Sequence, residues 1–175
     1  MDPATVMSHR RPFTVQAFDR QKTRRINLAL FRQIARRLLG GLPPVRGQAG
    51  PAESAPPGGQ LAVHFINAAA MARLNQKFLG HAGSTDVLTF NYQEIPGRGG
   101  MCAEIYISVD DAVAGAPRFH CSWQSELVRY LAHGVLHLRG YEDGVPSARR
   151  EMKEWEDRLC KELSERFELS GLERS

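Results

Sequence analysis

Glu126-Leu127-Val128-Arg129-Tyr130-Leu131-Ala132-His133-Gly134-Val135-Leu136-His137-Leu138-Arg139-Gly140-Tyr141-Glu142-Asp143 sets the reading of this chain. Over residues 126–132 the apolar residues recur at helical spacing with no internal Gly or Pro, so this part should form a helix. Histidines four apart on a helix lie on one face, separated by roughly 6 Å of rise. Both imidazoles can then reach one cation. Gly140 suits the left-handed residue that ends such a helix, because it carries no side chain to clash. Beyond it the chain reverses, and Glu142 or Asp143 can swing back toward the histidines. Two imidazoles and a carboxylate make an open three-ligand set with a fourth position left for water. A pair at this spacing also arises as a polar stripe on a half-buried helix, and spacing alone leaves both readings standing. The metalloprotease form is absent, since Gly134 stands where that motif needs its glutamate base.

Outward from this stretch, composition bounds the rest. The chain has 175 residues, 42% of them hydrophobic, enough for one well-filled domain and few for two. No apolar run approaches the ~20 residues that span a bilayer, and the N-terminus is basic without an apolar segment, so a soluble cytoplasmic protein is expected. Cys102, Cys121 and Cys160 are odd in number and widely spaced, which fits reduced buried thiols rather than disulfides or a thiolate metal site. The net charge of +4 is uneven: residues 1–40 hold nine Lys/Arg against Asp2 and Asp19, leaving −3 for the remainder. A basic flank of this kind is compatible with nucleic acid, although charged helix faces are often simply solvated.

Taken in order, residues 1–12 read as a flexible basic arm, followed by one domain over 13–170 and a tail at 171–175. Residues 13–18 alternate like a strand. Thr23 to Leu39 reads as an amphipathic helix with Ile26, Leu30, Ile34 and Leu38 inward and Arg24, Arg25, Arg32, Arg36 and Arg37 on a basic outer face. Residues 40–59, rich in Gly and Pro, read as a disordered insertion. A strand follows over 61–66, with His64 as a surface or edge residue. Asn67 caps a helix over Ala68–Phe78, whose buried side is Met71, Leu74 and Phe78, leaving Arg73 and Lys77 outside. A turn at 95–100 joins strands Val87–Tyr92 and Cys102–Val109 into a hairpin. Asp110-Asp111 open a short helical turn, Ser122 or Ser125 begins the histidine helix, and Pro146 opens a last helix whose inward residues are Met152, Trp155, Leu159 and Leu163. The expected architecture is α/β of the α+β type: one domain, a mixed sheet of about four strands, about five helices, and a metal site where the long helix ends.

The histidine stretch resembles the signature H-G-x-L-H-L-x-G-Y-D-H of the YbeY family of single-strand-specific endoribonucleases, which act in ribosomal RNA maturation. His133, Gly134, Leu136, His137, Leu138, Gly140 and Tyr141 agree with it. The family's Asp is Glu142 here, and its third zinc-ligating histidine is Asp143. A second run, R-G-K-D-x-x-T-D-V-L-S-F, is similar to residues 79–90: Thr85, Asp86, Val87, Leu88 and Phe90 agree, and Leu79, His81 and Ala82 replace the family's Arg, Lys and Asp. Glu104 stands for the Asp of its G-D-I-x-I run. The resemblance covers roughly residues 60–145. It implies one Zn2+ per chain on His133, His137 and Asp143, acting as Lewis acid and source of hydroxide, with Glu142, Asp86 and Glu104 as candidate bases. A carboxylate in place of imidazole adds negative charge and alters the strength of the site. The implied partners are single-stranded RNA, above all ribosomal RNA, and ribosomal particles, with no membrane and no preference for DNA. Arg24, Arg25, Arg32, Arg36, Arg37, Arg73, Lys77 and Arg139 are the candidate RNA contacts. The alternatives are a non-catalytic RNA- or ribosome-binding factor that keeps the fold, and a metallopeptidase, which the absent glutamate disfavours.

Overall fold

The structure is a computed structural model that describes residues 13–42, 58–92 and 101–174. The expected arm, most of the insertion and the hairpin turn lie outside these residues. The elements run β1 (Phe13–Asp19), α1 (Leu28–Gly40), β2 (Gly59–Ile66), α2 (Ala68–Leu79), β3 (Val87–Asn91), β4 (Met101–Ser108), α3 (Val109–Gly115), a 3-10 turn (Ala116–Phe119), α4 (Trp123–Leu138), α5 (Pro146–Arg166) and a second 3-10 turn (Leu169–Leu172). The four strands form one sheet in the order β1-β2-β4-β3. β1, β2 and β4 are parallel, and β3 returns antiparallel against β4 as the hairpin pattern demands.

Strand alternation divides the chain between two faces. Val15, Val63, Ile105 and Ile107 point to one side, where Phe31, Ile34 and Leu38 of α1, Leu127, Leu131 and Val135 of α4, and Met152, Leu159 and Leu163 of α5 close the main core. On the other side α2 covers a smaller cluster of Ile66, Met71 and Leu88. Three helices on one face and one on the other give the layered single domain expected from the order of elements.

α1 begins at Leu28, five residues later than its periodicity indicates, because the Asn27 side chain accepts a hydrogen bond from Leu30 N and fixes the start there. Residues 21–24 instead form a turn knitted by Gln21, whose amide donates to Asp19 Oδ1 (2.6 Å) and Arg24 O (2.7 Å) and accepts from Thr23 N (2.6 Å). Arg24 and Arg25 are therefore off the helix. The expected tail is also tied down: Asn27 N donates to Leu172 O (2.8 Å) and Arg174 N to Arg25 O (2.9 Å), with Leu172 fully buried.

Gly134 shows why the histidine helix sits so close to the sheet. A Cβ there would meet Thr89 Oγ1 at 2.9 Å and Ile105 Cδ1 at 3.1 Å. Any side chain at this position, the glutamate of the metalloprotease motif included, would have to displace Thr89 or Ile105. Gly134→Ala should cost stability, about 1–2 kcal/mol net, because overpacking outweighs the helix propensity gained. A urea titration checks this, and Thr89→Ala in the same chain should recover part of the loss.

His64, expected at the surface, is 6% exposed. Its ring is stacked between Phe18 (5.0 Å) and Tyr106 (4.5 Å) on the sheet face that α2 only partly covers. Neither ring nitrogen has a hydrogen-bond partner among the described residues. Burial lowers its pKa below the ordinary histidine value, opposed by Glu104, whose Oε1 lies 4.0 Å from Nε2, and aided by Arg20. The unfolded chain thus takes up this proton first as pH falls below about 6.5, so His64 erodes stability on acidification. His64→Phe should lose less stability than wild type between about pH 7 and pH 5, as read from urea midpoints; parallel curves would refute the assignment.

Candidate metal centre

α4 delivers both histidines to the end of the domain nearest β3. Ser122 caps its start by accepting from Ser125 N (3.2 Å). At the other end Gly140 takes φ of 82°, Gly140 N donates to His137 O (2.9 Å) and Tyr141 N to Leu136 O (3.1 Å), closing the last turn and burying Tyr141. This reversal returns Asp143 to the helix. Ligand atoms of His133, His137 and Asp143 all lie within 4.8 Å of one another.

The hydrogen bonds fix what each imidazole offers. His137 Nδ1 lies 2.9 Å from Tyr141 O, and a carbonyl only accepts, so this nitrogen carries the proton and Nε2 a lone pair. His133 Nδ1 lies 3.1 Å from Glu156 Oε2. Burial pushes the Glu156 carboxyl up, but hydrogen bonds from His133, Arg129 and Lys153 outweigh it and hold the carboxyl at about 2, ionised and accepting. His133 Nε2 is therefore also free of its proton in the neutral ring. The two Nε2 atoms face each other at 3.1 Å, with Asp143 Oδ2 3.7 Å from that of His133. Two lone pairs so close call for a positive charge between them. A tetrahedral zinc with Zn–N near 2.0–2.1 Å sets its nitrogens about 3.4 Å apart, so the donor set fits such an ion. The same surroundings favour a proton on His133: burial opposes it, while Glu156, Asp86 and Asp143 raise its pKa.

Glu156 is the residue that the sequence pattern did not reveal. It lies on α5, buried, with Oε1 accepting from Arg129 (2.7 Å) and Lys153 (3.1 Å) while Oε2 serves His133. Its signal was present: Glu156 falls between Met152 and Leu159 on the apolar stripe of α5, where an acid must find buried partners.

Of the three candidate bases, Asp86 alone borders the centre, lining a cavity of about 470 Å³ with His133, His137 and Asp143. It accepts from Val87 N (2.8 Å) and Thr85 Oγ1 (3.1 Å), the turn chemistry of its position. Glu142 is exposed and outside the ligand group. Glu104 is a correction. It alternates with Ala103 and Ile105 and so lies on the opposite sheet face from α4, where it accepts from Tyr106 Oη (3.0 Å) beside His64.

The cationic candidates scatter. Arg139 is 2% exposed and cannot serve as an RNA contact, because the last turn of α4 carries it inward. Arg32, Arg36 and Arg37 ride on α1, which packs over β1, the sheet edge opposite β3. Three strand spacings of about 4.8 Å separate those edges, so these arginines do not line the cavity. Arg37 is paired with Glu162, and Arg24 lies 3.8 Å from Glu173. Arg25, Arg73 and Lys77 are exposed. Leu79, at the place of the family's arginine, is exposed on the cavity rim. Cys102, Cys121 and Cys160 are free and half-buried. No helix among the described residues is long and apolar enough to cross a membrane.

Comparison with known proteins places the chain in a family and a fold. The family model described as endoribonuclease YbeY matches residues 16–164. The endoribonuclease YbeY of Chlorobium phaeovibrioides is 41% identical over 95 residues, covering 53% of this chain and 61% of that protein. That of Salinibacter ruber is 40% identical over 91 residues, covering 49% and 58%. That of Chlorobium luteolum is 36% identical over 105 residues, covering 59% and 74%. The matches thus span about three fifths of the length of the first two relatives. In fold, the chain is similar to TM1509 of Thermotoga maritima, solved in solution, at a TM-score of 0.54 and 22% identity over 86% of this chain and 89% of that one. With the family model matched across the sheet, α4 and most of α5, this chain belongs to the YbeY endoribonuclease family.

Proposed function

We propose that the protein is a metal-dependent endoribonuclease that cuts single-stranded RNA, with ribosomal RNA as its natural substrate class. The observation that carries this is the pair of Nε2 atoms 3.1 Å apart, each imidazole held by its other nitrogen and Asp143 beside them. His133, His137 and Asp143 would hold one zinc, which supplies Lewis acidity toward phosphate oxygens when bound. Around it the chain itself does the rest. Glu156 and Tyr141 O orient the rings, and Asp86, exposed on the cavity lining, stands where it could take a proton. The carboxylate ligand gives the centre one more negative charge than three imidazoles would.

The test is cleavage of an unstructured RNA and of its duplex by the purified full chain, with and without a chelator. Cleavage confined to the single strand, lost on chelation and restored by zinc, is the expected result. RNA binding without cleavage under every metal tried would give the non-catalytic binding factor the lead instead.

A further inference from the structure

The metal centre opens on two sides. The cavity of about 470 Å³ over β3 shares His133 and Asp86 with a second one of about 490 Å³ that runs toward Phe119 and Lys153. Shared walls make these two lobes of one groove that passes over His133. Each lobe ends on an exposed aromatic ring: Phe78 is 51% exposed and Phe119 is 68% exposed. Phe78 was expected on the buried side of α2. It instead lies in the final turn of the helix, where it meets the sheet only edge-on at Phe90 of β3, ring centroids 5.0 Å apart. Phe119 closes the 3-10 turn before α4 and stands at the rim of the second lobe.

Resting on the endoribonuclease reading, we propose that a single RNA strand lies along this groove, with an unpaired base stacked on Phe78 at one end and another on Phe119 at the other. Apolar rings left open to water at both mouths of a polar site suit the flat faces of bases, and base–aromatic stacking tolerates any sequence. A duplex keeps its bases stacked inside and cannot offer them, so the same feature selects single strands. A cation stands at each mouth. Lys77 Nζ lies 5.1 Å from the Phe78 ring centroid, and Lys153, paired with Glu156 and Asp157, lines the second lobe at the surface; of the acids in that lobe Glu126 and Glu156 are buried and Asp86 is exposed. Leu79 beside Phe78, 54% exposed, adds apolar surface to the first mouth.

The test measures fluorescence anisotropy of a labelled, unstructured RNA of about 12 nucleotides, a length within the range of single-strand sites, with the metal-loaded full chain kept cold. The RNA is re-isolated to verify that it is intact. Phe78→Ala and Phe119→Ala should each weaken binding roughly 5- to 100-fold, and Phe78→Trp and Phe119→Trp should restore it. The same RNA as a duplex should bind weakly and alike to all five proteins. Both rings are exposed, so folding is preserved, and thermal melts verify it. Single-strand binding unchanged in both alanine variants overturns the groove, even if the protein cleaves RNA. Ring-dependent binding in a protein that never cleaves leaves the groove standing and refutes the endonuclease reading instead.

Discussion

Glu156→Ala is expected to destabilise the fold by about 3 kcal/mol and to loosen metal binding roughly 10- to 100-fold. The first effect follows from what the carboxylate holds. It is buried between His133, Arg129 at 2.7 Å and Lys153 at 3.1 Å, and its removal strands partners that were placed around a negative charge. The loss stays near the lower end of the range for broken buried pairs, because Lys153 and part of Arg129 reach water and are re-solvated. The second effect follows from the ring: without an acceptor at Nδ1, His133 can turn, and a neutral imidazole can place its proton on the nitrogen meant for the metal. Glu156→Gln keeps the volume and one acceptor for His133 Nδ1, so it should lose less stability and less metal than the alanine variant, and it lacks only the negative charge that raises the basicity of the ring. Urea denaturation reads the first quantity and a zinc competition titration the second. Zinc affinity equal to wild type in Glu156→Ala would remove Glu156 from the centre and leave it a structural acid only.

Asp143→Ala should weaken zinc further than any change at Glu156, since a ligand is lost rather than its orienter. The Asp143 carboxylate lies 3.7 Å from His133 Nε2, brought there by the reversal after Gly140, while its backbone carbonyl accepts from Arg149 Nε at 3.0 Å. The alanine variant keeps that backbone bond, so its fold should be intact. Asp143→His should retain the metal, because imidazole is an equally good zinc donor and the loop already aims the position at the site. The same competition titration, run on wild type and both variants, decides the matter. Equal affinities in wild type and Asp143→Ala would take Asp143 out of the donor set and turn attention to Asp86, the other acid on the cavity.

Much of the centre was legible because it is local. Two histidines four apart, a glycine for the left-handed turn and an acid three residues later all lie within eleven residues, where helical geometry dictates proximity. The sheet was legible for the same reason: alternation marks strands, and the short link from β3 to β4 makes a hairpin. What escaped depends on packing between distant elements. Glu156 reaches His133 from 23 positions away, across the contact between α4 and α5. Glu104 was misplaced because alternation tells which residues share a face but not which face the histidine helix will cover. Phe78 obeyed the helical stripe of α2, yet in the final turn it meets the sheet only edge-on at Phe90 and leaves half of its surface open. Arg139 and Phe78 thus trade places relative to ordinary chemical preference, the cation inside and the ring outside, and both sit where a helix ends beside the site. The start of α1 moved because a single amide, Asn27, outcompetes the periodicity before it.

Zinc-edge X-ray absorption of the full chain, purified without chelators, reads the donor set itself. One zinc per chain, with two imidazole nitrogens at about 2.0–2.1 Å, a carboxylate oxygen at about 2.0–2.2 Å and no sulfur, is the result predicted. A protein that takes up no metal, or a shell built on the cysteines, would contradict it.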